Sequence, residues 1–68
     1  MPYFVTELLP SGLHIRFAND DKELKEMMFV GRDKKIVQIT EQQRDDLSQR
    51  TPEELVHIAQ RFRRQGKL

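Results

Sequence analysis

The chain has no cysteine and no tryptophan, only three glycines and three prolines, and no long apolar run. Each shortage removes a class of protein. Without cysteine there is no disulfide framework, no thiolate nucleophile and no zinc finger. The two histidines, His14 and His57, are too few to hold a structural metal by themselves. The longest uninterrupted apolar stretch is Met27 to Val30, far short of the roughly 20 residues that cross a bilayer. The opening MPYFVTELLP lacks the basic start and apolar stretch of a signal peptide. A cytoplasmic location with no membrane contact is therefore expected.

Catalytic signatures are also missing. There is no glycine-rich phosphate loop, no H-E-x-x-H, no G-x-S-x-G and no C-x-x-C. His14 falls on the polar side of its strand and His57 on the polar side of a helix, so neither is poised against a nucleophile or carboxylate. The pairs Asp20-Asp21, Asp45-Asp46 and Glu53-Glu54 sit at or near helix starts, where acids are favoured by the helix dipole alone. The expectation is a protein that is not an enzyme and takes no metal or cofactor.

What is present suffices for a fold. A chain of 68 residues makes one domain at most, here 1–68, and only just offsets its own chain entropy with a single core. A content of 37% hydrophobic and 34% charged residues is far from the polar, unbalanced compositions that stay disordered. The net charge of +1 is small but unevenly spread: the last eight residues, RFRRQGKL, hold four positive charges and no acid. Attraction for an anionic partner is confined to that end.

Local pattern indicates an α+β fold: an N-terminal β-hairpin with one further strand, forming an antiparallel sheet packed against short helices and a C-terminal amphipathic helix. YFVTELL and LHIRFA flank Leu9-Pro10-Ser11-Gly12, a turn in which proline presets φ and glycine tolerates positive φ. Alternation puts Phe4, Leu8, Leu13, Ile15 and Phe17 on an apolar face directed at the core, leaving Tyr3, Val5, Glu7, His14 and Arg16 on a mixed face. Asn19-Asp20-Asp21 caps a short helix in which Leu24, Met27 and Met28 share one side. An alternative makes MMFV and KKIVQI a second hairpin across Gly31 to Lys34. Lys35 to Ile39 reads as a strand, and Thr40 with Gln43 forms a capping box for a helix that has Leu47 as its only large apolar residue.

The clearest element is the last. Thr51, Pro52 and Glu54 supply cap, first-turn proline and capping box, and Leu55, Ile58, Ala59 and Phe62 recur at helical spacing. Arg63 and Arg64 suit the negative end of the helix dipole, and Gly66 sits at the C-terminal cap. The order strand, helix, helix over residues 34 to 65 resembles the ribbon-helix-helix DNA binders. The N-terminal hairpin has no counterpart there and the first helix is nearly devoid of core residues, so no family is assigned.

By elimination, the expected function is a non-enzymatic protein-binding module that inhibits, adapts or regulates a larger protein. Its expected contact residues are Tyr3 and Arg16 on the hairpin and His57, Arg61, Arg63, Arg64 and Lys67 on the C-terminal helix and tail, because Tyr and Arg are over-represented in interface hot spots. The alternative is a nucleic-acid-binding regulator that grips phosphates with Arg61, Arg63, Arg64 and Lys67. A homodimer is compatible with either.

Overall fold

The computed structural model describes residues 1–68. Elements run β1 (Tyr3–Leu9), β2 (Gly12–Ala18), α1 (Asp21–Glu26), β3 (Lys34–Gln38), α2 (Glu41–Ser48) and α3 (Pro52–Gln65). They form an antiparallel three-stranded sheet in the order β2-β1-β3, with three helices: the α+β fold read from the sequence. The hairpin closes with Leu9 opposite Gly12, whose φ of 136° lies where only glycine is comfortable. No helix is long and apolar enough to cross a membrane.

Directly opposed residues share a sheet face, so the register divides the side chains. Phe4 lies between Phe17 and Val37, and Thr6 between Ile15 and Lys35, on one face. That face meets α2 and α3 through a core of Phe4, Ile39, Leu47, Ala59 and Phe62, with Leu13, Leu55 and Ile58 packed around it. The Phe4 ring touches Phe17 and Phe62, with centroids 5.5 and 6.0 Å away in tilted and edge-on arrangements that suit the ring quadrupoles. Helix α2 buries Leu47 alone, as its composition dictates.

Two details differ from the sequence pattern. Leu8, expected in the core, is 47% exposed, because the α3 residues beside it near the hairpin turn are the polar Gln60, Arg63 and Arg64. The opposite face of β1 is not merely mixed: Val5 and Glu7 are as buried as Phe4. A central strand is covered on both faces, and the second cover is the chain between α1 and β3. Neither reading of residues 22–30 was complete. The helix forms, but it stops at Glu26, and Met27 is extended at φ −67° and ψ 136°. Met28 to Val30 belong to no strand and make an irregular arm.

Candidate binding surface

The arm is fixed to the sheet by polar bonds. Glu7, in mid-sheet on the second face, is only 2% exposed, and a buried carboxylate is costly unless it is paired and hydrogen-bonded. Here one oxygen accepts the Gly31 N–H at 2.8 Å and the other faces the Arg16 guanidinium at 3.5 Å. Arg16 in turn donates to the Met28 carbonyl at 3.0 Å. Two cations approach the Phe29 ring, Lys34 Nζ at 4.3 Å and the Arg16 guanidinium carbon at 5.1 Å from its centroid, a favourable placement of positive charge over an aromatic face. A side chain at Gly31 has little room, since its Cβ would stand 3.3 Å from Leu9 Cδ2 and 3.8 Å from Glu7 Oε2.

With its backbone held at Met28 and Gly31 and the Phe29 ring turned inward, the arm leaves two large apolar side chains in water. Met28 is 83% and Val30 86% exposed. Ile36, 38% exposed at mid-β3, opposes Val5 and so adds to the same face.

The residues singled out from the sequence are distributed unevenly. Tyr3 and Arg16 lie on this second face, but both are engaged within the chain, Tyr3 through its hydroxyl to the Asp21 carboxylate. That bond, then burial and the Asp21 charge, hold the phenol above its ordinary value. Arg63 is turned inward across the end of the sheet, donating to Thr6 Oγ1 at 3.1 Å and pairing with Asp33. His57 and Arg61 are exposed together on α3, beside Arg50. Arg64 and Lys67 are exposed and enter no ion pair.

No family model, curated protein or solved structure matches this chain.

The surface depressions lie away from the arm. One of about 190 Å³ lies between α2 and α3, bounded by Leu47, Ile58, Leu68 and the charged pair Asp46 and Arg50. Arg50 bridges Asp46 and Glu54 at 3.3 Å each, and the two acids, Asp46 first, raise its pKa. Glu54 is pulled down by the Thr51 backbone N–H, then by the Thr51 hydroxyl and Arg50. These groups brace the α2–α3 corner. No three His, Cys, Asp or Glu side chains converge anywhere on the protein.

Glu7, Met28, Val30 and Gly31 were not among the residues singled out from the sequence. The signal was present in Met27 to Val30, the longest apolar run, followed directly by glycine. Its polar anchor was hidden, because Glu7 and Gly31 are 24 residues apart.

Proposed function

We propose that the protein is a non-enzymatic binding module that regulates, inhibits or adapts a larger protein, and that the arm Met28 to Val30 is its principal contact. The observation that carries this reading is the pairing of two highly exposed apolar side chains with a backbone anchored on a buried carboxylate. Apolar surface held in water costs stability, and such surface collected in one place marks interaction sites. A pre-positioned arm also loses little entropy on docking. Flanking Arg32 and Lys34 favour a partner whose apolar pocket has an acidic rim. A cytoplasmic setting is part of the proposal and agrees with a chain that needs no disulfide.

The test replaces Met28 with photo-methionine and irradiates the protein in a native extract, with the same residue at Gln42 on α2 as control. A defined protein should be trapped from position 28 and not from 42. Unlabelled wild type should compete for it, and unlabelled Met28→Ser/Val30→Ser should not. Equal trapping from both positions, or equal competition by both proteins, would count decisively against the arm.

A nucleic-acid contact at the basic end is a second reading, supported by the absence of ion pairs at Arg61, Arg64 and Lys67. It is the weaker one, since the fourth cation, Arg63, is engaged inside the fold. It requires binding to mixed-sequence DNA or RNA that weakens steeply with salt and on Arg64→Ala.

A further inference from the structure

Strand β3 closes one side of the sheet, and its outer edge is open. The direction of its backbone groups follows from two bonds at its ends. Leu8 donates to the Asp33 carbonyl at 2.9 Å, and Ile39 donates to the Pro2 carbonyl at 2.9 Å. Groups of an antiparallel strand point alternately to either side. Asp33, Lys35, Val37 and Ile39 therefore turn their N–H and C=O groups toward β1, and the Thr6 hydroxyl reaches the Lys35 carbonyl at 3.2 Å in agreement. Lys34, Ile36 and Gln38 turn theirs away from the protein.

We infer that this edge is the seam of a homodimer in which β3 pairs antiparallel with β3 of a second copy about the Ile36–Ile36 pair, making one six-stranded sheet. In that register every outward-facing residue meets another. Lys34 faces the second copy's Gln38, Ile36 faces Ile36, and Gln38 faces Lys34. On the other sheet face Lys35 comes opposite Val37. No lysine opposes a lysine, whereas sliding the pairing toward the N-terminal end of β3 sets Lys35 against Lys35, a like-charge contact that disfavours it. Edge lysines ordinarily discourage pairing; here they penalise the N-terminal neighbour of this register, and its C-terminal neighbour, centred on Val37, would set Ile36 against the polar Gln38 instead of against its own copy.

Ile36 supplies the apolar centre. It is the large aliphatic residue that β3 leaves exposed, at 38%, and pairing with its own copy removes it from water. The other edge is less suited, because α1 and α3 both lean on β2, and its outward-directed residues Leu13, Ile15 and Phe17 already lend their side chains to the core. The small interface predicts a weak dimer. The inference is independent of the reading of the arm, and the two fail separately.

The absence of cysteine allows a test specific for register. In a hydrogen-bonded antiparallel pair the Cα atoms stand about 5.5 Å apart, within the usual reach of a disulfide. Under mild oxidation at concentrations where wild type sediments as a dimer, Ile36→Cys should cross-link to itself much faster than Ser11→Cys on the hairpin turn. Lys34→Cys and Gln38→Cys should each cross-link to themselves slowly, and a mixture of the two should give the mixed dimer in excess of either homodimer. Ile36→Lys, which sets like charges opposite each other at an already exposed position, should sediment as a monomer with an unchanged circular dichroism spectrum. A wild type that stays monomeric at every accessible concentration overturns the inference. So does a dimer in which Ile36→Cys links no faster than Ser11→Cys, or one that persists in Ile36→Lys.

Discussion

The Arg63 guanidinium donates to the Thr6 hydroxyl at 3.1 Å, joining the last helix to the central strand across 57 residues of sequence. Its other end pairs with Asp33, just before β3, and the side chain is only 12% exposed. Arg63→Ala leaves the Thr6 hydroxyl and Asp33 without this partner and should cost about 1–3 kcal/mol in urea unfolding. Arg64→Ala, one residue along and exposed, should stay within about 0.5 kcal/mol of wild type. Equal effects at the two positions would contradict this division of labour.

Gly12 limits the hairpin by conformation and not by space. A Cβ added there meets nothing within 4 Å, yet its φ is 136°. Gly12→Ala should destabilise the domain by about 1 kcal/mol or more, with the thermal midpoint as the measure.

The single tyrosine gives a clean alkaline titration, because there is no tryptophan to obscure it. Tyr3 should ionise above its ordinary value of 10.0, chiefly because its hydroxyl donates to Asp21. A raised folded-state value means that this stabilisation is intact below pH 10.0 and is lost as pH rises through the folded value. Asp21→Ala should return the ultraviolet titration midpoint toward the ordinary phenol.

Glu54 behaves in the opposite sense at acid pH. Its folded-state value is depressed below 4.5, so its contribution is present above that pH and disappears as pH falls through the lower, folded value. Thr51→Ala removes the hydroxyl that donates to the carboxylate and accepts the Glu54 N–H at 3.2 Å. The Glu54 midpoint, followed by carboxyl NMR, should move upward in that variant.

Local chemistry was readable in the sequence wherever the partners were near neighbours. Thr40 with Gln43 and Thr51 with Glu54 form the reciprocal capping boxes that their spacing implies, and Gly66 ends α3 at a left-handed φ of 74°. The hairpin and the C-terminal helix followed from turn residues and periodicity. What was not readable depends on strands that meet across long stretches of chain. Alternation alone does not reveal that β1 is central, so the burial of Val5 and Glu7 was missed. Arg63 and Arg64 look equivalent at a helix end, and only the approach of Thr6 and Asp33 tells them apart.

The order of strands also sets an order of events. β1 can zip to β2 through a two-residue turn, a local step on the microsecond scale. Its pairing with β3, Thr6 beside Lys35, must wait until the intervening 29-residue separation is closed, and loop closure costs entropy before the contact returns any. Until then one side of the central strand is bare, and the Glu7 carboxylate stands without the Gly31 amide. The arm should therefore be among the last parts of the molecule to acquire its shape and among the first to lose it, visible as late amide protection at Gly31 in pulsed hydrogen exchange.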